Sequence, residues 1–159
     1  MTDPKPETIS LVVRKVRERN AHWIAETIEY RSELTLVIPR EHVRAVSEFL
    51  CRDAELGFSF LSDLSGVDRF PMEPRFEVNY HLVAMERRER LRLKVRVASA
   101  NPVVESVVAV WPTANWHERE VFDMFGVRFE GHPDMRRILM PESWEGHPLR
   151  KDYPVEGYR

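Results

Sequence analysis

Cysteine is almost absent from this chain: Cys51 stands alone among 159 residues. A single thiol excludes an intrachain disulfide, an iron–sulfur cluster held by this chain alone and a cysteine-rich zinc site. It fits a reducing, cytosolic-type compartment. An excess of one charge is missing too. Twenty-four basic residues meet 26 acidic ones for a net charge of −2, so the chain as a whole carries no electrostatic footprint for nucleic acid. No apolar run approaches the roughly 20 residues that a membrane-crossing helix needs. The opening MTDPKPETIS has no basic stretch followed by an apolar one and is not expected to be a secretory signal. A chain of this kind that works at a membrane is expected to be held there by another chain.

The motifs of common chemistries are incomplete or missing. No Gly-x-Gly-x-x-Gly occurs, so a dinucleotide fold has no support. Gly126 and Gly131 have the glycine spacing of a phosphate-binding loop, but His132-Pro133 stand where lysine and a hydroxyl are required. No Gly-x-Ser-x-Gly elbow frames a serine. His117-Glu118 opens like a zinc-protease helix, yet Val121 occupies the position of the second histidine. His117, His132 and His147 remain a candidate set for a small metal-dependent hydrolase. Two of them sit in Gly-His-Pro triplets, which mark turns. Glu118 and Glu120 lie two apart on an expected helix and point to different sides, so they do not converge on one substrate. Capping, with Asn115 and Glu118 as the two ends of a capping box, and salt bridges to a partner are the simpler readings of this pair. Arg119 and Asp123 have the spacing of a surface ion pair.

What is present is a well-patterned domain. Ile9, Val12, Val13 and Val16 have helical spacing over a segment ending near Asn20, after a stretch 1–7 expected to fray. Residues 23–30 and 34–38 read as a hairpin turning at Arg31-Ser32-Glu33, and Glu41–Leu56 as a second helix closed by Gly57. Three strands follow. The first places Phe58, Phe60, Ser62 and Leu64 on one face, and the second Phe76, Val78, Tyr80, Leu82 and Ala84. In the third, Leu91, Leu93, Val95 and Val97 alternate with Arg92, Lys94 and Arg96. That basic row reads as a wetted face, with docking on an acidic partner as the other reading. The order α-β-β-α-β-β-β predicts an α+β two-layer sandwich. Two helices cover a mixed or antiparallel five-stranded sheet, followed by a short helix (to Phe125) and an extended C-terminal arm. The division is a core domain over 1–112 and a helix plus arm over 113–159.

The arm is the unusual part. Pro133, Pro141, Pro148 and Pro154 forbid regular structure, yet Phe129, Met135, Ile138, Leu139, Met140, Trp144, Leu149, Tyr153 and Tyr158 run through it. Plain disorder has few aromatics, and a structureless stretch beyond about 12–15 residues is uncommon inside a compact domain. Fully extended at about 3.3 Å per residue, residues 126–159 reach roughly 110 Å. A segment this apolar and this irregular is expected to need a partner surface to lie on.

The same residues carry a resemblance. Glu118-Arg119-Glu120, Asp123-Met124-Phe125-Gly126-Val127, His132-Pro133, Arg137-Ile138-Leu139 and the run from Trp144 to Pro154 resemble the C-terminal signature of the C-subunit family of bacterial NADH–quinone oxidoreductase. This family supplies the small peripheral-arm subunit of respiratory complex I. The resemblance is dense over about forty residues. It implies a non-catalytic subunit with no flavin, iron–sulfur cluster, metal or quinone ligand of its own, inside a complex that uses NADH, FMN, iron–sulfur clusters and quinone and translocates protons. It also implies docking on the quinone-site D-subunit of that complex, at the cytoplasmic side of the membrane. The partner interface it implies comprises Glu118, Arg119, Glu120, Asp123, Phe125, His132, Arg136, Arg137, Trp144, His147, Arg150, Lys151, Asp152 and Tyr153. Equivalent subunits occur in membrane-bound hydrogenases and in ferredoxin- or deazaflavin-dependent dehydrogenases, and this chain alone does not separate those machines.

Overall fold

The computed structural model describes residues 6–157, with side chains from residue 11. Helix α1 spans Pro6–Arg19, so it begins inside the stretch expected to fray. Residues 1–5, the side chain of Ile9 and Tyr158 lie outside the described residues. Val12 and Val16 of α1 are buried, as their spacing predicts.

Strands β1 (Glu26–Tyr30) and β2 (Glu33–Val37) form the expected hairpin. Arg31 and Ser32, at φ 50° and 65°, make its two-residue turn, whose left-handed backbone matches the twist of the strands. Helix α2 (Val43–Arg52) is shorter than its sequence pattern at both ends. A turn of 3₁₀ helix over Arg40–His42 precedes it. Asp53 stops it: the carboxylate turns back to accept the N–H groups of Glu55 and Leu56, both at 3.0 Å, and binds Lys15 at 2.8 Å. Gly57, at φ 60°, closes that following turn through a bond to the Asp53 carbonyl and does not cap the helix.

Strands β3 (Phe60–Asp68), β4 (Phe76–Ala84) and β5 (Glu89–Val97) complete a sheet of order β1-β2-β5-β4-β3. β2 and β5 run parallel and the other pairs antiparallel, which makes the sheet mixed. The phase of β3 differs from expectation. An irregularity in its pairing between Leu61 and Asp63 leaves Phe60 47% exposed and buries Leu61 and Leu64. A one-residue shift exchanges the two faces of a strand. The alternation in β4 and β5 holds, with Tyr80, Leu82, Leu93 and Val95 deep in the core. On the opposite face the basic row is paired within the chain. Arg92 meets Glu33 at 2.7 Å, Lys94 meets Glu77 at 3.0 Å, and Arg96 lies 3.5 Å from Glu77 and 3.6 Å from Glu26.

Two strands escaped the sequence pattern. β6 (Val103–Glu105) and β7 (Arg128–Glu130), three residues each, pair in parallel on either side of helix α3 (Ala114–Phe125). At that length no period shows in the sequence. They join the stretch between β5 and α3 to the C-terminal part across residue 112, and Trp111 adds a bond from its ring N–H to the Phe58 carbonyl at 3.1 Å. Val121 of α3 belongs to the main core, so a third helix adds to the helical layer. Gly66 on β3 makes this approach possible. A Cβ there would stand 2.6 Å from the Phe125 ring and 3.1 Å from Val121. Gly66→Val is therefore expected to lower stability by roughly 1–3 kcal/mol through overpacking, read as a lower denaturant midpoint. An unchanged midpoint would show that α3 is free to move off the sheet.

Candidate partner interface of the C-terminal segment

Beyond β7 the chain, through residue 157, contains neither helix nor strand, yet it lies on its own domain. The organising group is Asp123 on α3. Its carboxylate is buried and accepts the Arg137 guanidinium at 2.7 Å and three successive backbone N–H groups, Ile138, Leu139 and Met140, at 3.0, 2.8 and 2.8 Å. Burial alone would raise its pKa. The hydrogen bonds, led by Met140 and Arg137, outweigh that and hold the carboxyl below its ordinary value. Arg137 also reaches the carbonyls of Trp144 and Gly146 at 3.0 and 2.9 Å. This replaces the expected Arg119–Asp123 surface pair. Arg119 stacks over Trp116 and donates to the carbonyls of Arg136 and Arg137 at 3.0 and 3.1 Å.

The end of α3 receives the next part of the segment. His147 Nδ1 lies 2.9 Å from the Asp123 carbonyl, which identifies it as the protonated nitrogen, and its ring meets Phe122 edge-on. Burial lowers the His147 pKa against the partial support of that carbonyl, so the ring is neutral at pH 7. Arg150 donates to the Phe125 carbonyl at 2.6 Å and covers the Phe76 ring. Gly126 ends α3 at φ 76°, and a Cβ there would lie 2.6 Å from the His147 ring. The glycine spacing that resembled a phosphate loop thus serves a helix end and close packing.

The last anchor ties the segment to the far edge of the sheet. Arg75 grips two carboxylates. Its Nε and Nη2 donate to Asp68 at 2.9 and 2.8 Å, and its Nη1 and Nη2 to Asp152 at 2.8 and 2.6 Å. Phe70 and Phe76 flank the guanidinium, each at 5.0 Å. Asp68 also accepts the Lys151 N–H at 2.8 Å. Burial pushes the Asp68 pKa up, but Arg75 and the Lys151 N–H bring it down to about 2; the pair raises Arg75. Neither Asp68 nor Arg75 stood among the sequence candidates. They lie 77 or more residues from their partners in the segment, and no local pattern encodes such a contact.

Glu118 sits apart from this network and is not a helix cap. Thr113 is the N-cap residue of α3 and makes no side-chain capping bond. Glu118 is fully buried and accepts Ser106 Oγ at 2.7 Å and the Val107 N–H at 2.8 Å. Burial, only partly offset by those bonds, raises its pKa to about 7. His132 Nε2 lies 4.0 Å from it. That ring accepts the Asp134 N–H on Nδ1 and faces the Asn115 carbonyl with Nε2, a neutral tautomer that supplies no cation. The buried Tyr80 hydroxyl, raised in pKa by burial and by Glu118, has no hydrogen-bond partner among the described residues.

The remaining candidates face outward. Glu120 is exposed, Arg136 pairs with Asp134 at 2.7 Å on the surface, and the Lys151 side chain is exposed. Tyr153 is half-buried and donates its N–H to the Arg150 carbonyl at 3.0 Å. Trp116, Leu139, Trp144 and Leu149 are exposed apolar side chains, at 61%, 61%, 39% and 55%. His117 lies 3.7 Å from Asp63. Among the described residues no three His, Cys, Asp or Glu side chains come together as metal ligands, and no helix is long and apolar enough to cross a membrane.

A model of the respiratory-chain NADH dehydrogenase 30 kDa subunit matches residues 36–159. The chain belongs to that family. It is 50% identical over 144 residues to the NADH-quinone oxidoreductase C-subunit of Roseiflexus sp. (strain RS-1), covering 91% of this chain and 83% of the relative. It is 43% identical over 145 residues to the corresponding C-subunit of Geotalea uraniireducens (strain Rf4), covering 91% and 87%. Among solved structures it resembles the trypsin-resistant fragment of Nqo5, with TM-score 0.64, 34% identity and coverage of 76% of this chain and 96% of that one. It also resembles a chain of the membrane-bound sulfane sulfur reductase, an archaeal respiratory membrane complex. There the TM-score is 0.76 and the identity 26%, with 92% and 85% of the two chains covered. A component of NADH–quinone oxidoreductase is therefore the class to which this chain belongs.

Two pH effects of opposite sign follow. Asp68 has a depressed folded pKa of about 2, so its contribution is present above about pH 4 and is lost as pH falls toward 2, an effect of about 2 kcal/mol. Asp68→Asn is expected to remove that acid-side loss and to lower stability at pH 7 by about 3 kcal/mol, because Arg75 loses its most buried partner. Glu118 has a raised folded pKa of about 7, so its own contribution is greatest below about pH 4.5 and falls as pH rises to 7, by about 3 kcal/mol. Glu118→Gln should flatten that fall. Denaturant titrations from pH 2 to pH 8 check both; a wild-type pH profile in either variant contradicts the corresponding assignment.

Proposed function

We propose that this chain is a non-catalytic peripheral-arm subunit of a proton-translocating NADH–quinone oxidoreductase. It docks on the quinone-site D-subunit and is needed to assemble the path of electrons from NADH through FMN and iron–sulfur clusters to quinone. It works at the cytoplasmic side of the membrane, with its cofactors on other chains. One observation carries the docking role: a segment without helix or strand is held by polar anchors while its Leu139, Trp144 and Leu149 stay exposed. Isolated apolar residues on a surface are ordinary, but several on one anchored segment of a family of complex subunits support a docking face.

The signature then divides into two roles. Asp123, Phe125, His132, Arg137, His147, Arg150 and Asp152 position the segment, as does Arg119 at its base, while Glu118 holds Ser106 and Val107 ahead of α3. Glu120, Arg136, Trp144, Lys151 and the half-buried Tyr153 meet the partner. Residues 113–159 thus make the attachment and residues 1–112 the domain that carries it. A second reading keeps the docking role and changes the machine: an equivalent component of a related respiratory membrane complex. The likeness to a chain of the sulfane sulfur reductase complex favours it, since one scaffold then serves complexes whose chemistry lies elsewhere.

The test is recovery of the complex from gently solubilised membranes. Trp144→Ala and Leu149→Ala should leave the isolated chain folded and reduce the co-purified quinone reductase activity roughly tenfold together, the scale of losing one or two interface anchors. Full recovery with both variants, or a wild-type chain that elutes alone, would contradict the proposal.

A further inference from the structure

The open face of the sheet holds a groove that the C-terminal segment does not touch. It has a volume of about 710 Å³ and is lined by Phe60, Val83 and Met85 together with Arg88 and Arg90. Strand register explains it. Phe60 pairs with Val83 across β3 and β4, and Val83 with Arg90 across β4 and β5, so the three side chains form one row. The next row is Asp63, His81 and Arg92. There Arg92 already binds Glu33, and the Asp63 carboxylate lies 3.7 Å from the His117 ring. Farther along, Lys94 and Arg96 bind Glu77. At the near end Arg87 is held by Glu89 at 2.7 Å and by the Glu55 carbonyl.

Arg88 and Arg90 break this rule. Among the described residues neither has a carboxylate within ion-pair distance, and both are exposed. Arg88 sits at φ 54° in the turn between β4 and β5. Beside these two cations lie two large exposed apolar side chains, Phe60 at 47% and Met85 at 64%. Arg92, Lys94 and Arg96, which follow along β5, each have a carboxylate of their own chain, and Arg88 and Arg90 border the apolar part of the groove.

We infer that this groove is a second docking surface, which takes a segment of a neighbouring protein that carries acidic side chains flanked by large apolar ones. Its carboxylates complete the charge pattern at Arg88 and Arg90, and its apolar groups cover Phe60, Val83 and Met85. Charge complementarity selects the partner and sets its register, while the apolar contacts supply most of the affinity. The inference rests on the reading of the chain as part of a larger complex, but it concerns a different face from the C-terminal segment.

The experiment places a photo-crosslinking benzoylphenylalanine at Met85 in the full chain, within cells that make the complex, and sequences the crosslinked peptide. The expected product joins position 85 to a peptide of another protein with Asp or Glu within a few residues of the attachment. Arg88→Glu with Arg90→Glu should cut its yield at least fivefold, and Arg88→Lys with Arg90→Lys should retain most of it. Crosslinks only within the chain or to lipid, no crosslink, or a yield unmoved by charge reversal would overturn the inference. Recovery of the chain with quinone reductase activity but without the crosslink overturns this surface alone. Recovery of the chain free of any partner overturns the wider reading as well.

Discussion

Burying a carboxylate costs several kcal/mol unless donors replace the water it loses. At Asp123 the donors come from the segment that has no regular structure of its own: one guanidinium and three consecutive N–H groups. The arrangement satisfies both sides. The carboxylate stays ionised inside the protein, and a stretch whose prolines rule out helix and sheet obtains partners for its backbone. Further anchors continue the path C-terminal to residue 137. Arg137 reaches on to hold the carbonyls of Trp144 and Gly146, His147 and Arg150 close over the end of α3, and Arg75 clasps Asp152 at the far side.

This geometry changes the meaning of the aromatic, proline-punctuated sequence. A free arm would lose roughly 1–2 kcal/mol of backbone entropy per residue on docking. A segment already fixed on its own domain loses far less and presents its apolar groups in a set arrangement. The apolar residues then divide. Met135 packs against the core, while Leu139, Trp144 and Leu149 stay outside for a neighbour. Polar residues hold the segment, and exposed apolar residues give it a surface to offer.

Much of the domain was legible from residue pattern. The alternation of Leu91, Leu93, Val95 and Val97, the run from Phe76 to Ala84 and the helical spacing of Val12 and Val16 place these residues where they lie. The phase of β3 was not legible, because an irregularity between Leu61 and Asp63 leaves no mark in composition. Nor were β6 and β7, which are too short for a period. At the candidate site, the signature from Glu118 to Pro154 located the segment, but residue types alone misassigned the partners. Glu118 has the spacing of a cap and is instead buried against Ser106. Asp123 has the spacing to pair with Arg119 and instead takes Arg137. Short-range rules count only neighbours within a few residues, whereas these side chains found theirs 12 and 14 residues away, and Arg75 its own 77 away.

The central claim is that the C-terminal segment is ordered on its own domain before any partner arrives, with the Asp123 carboxylate as its anchor. Amide hydrogen exchange of Ile138, Leu139 and Met140 in the isolated full chain tests this most directly. The account predicts exchange at least a hundredfold slower than in an unstructured peptide, with that protection lost in Asp123→Ala while the amides of β4 and β5 stay protected. Exchange at the unstructured rate in the wild-type chain would contradict it.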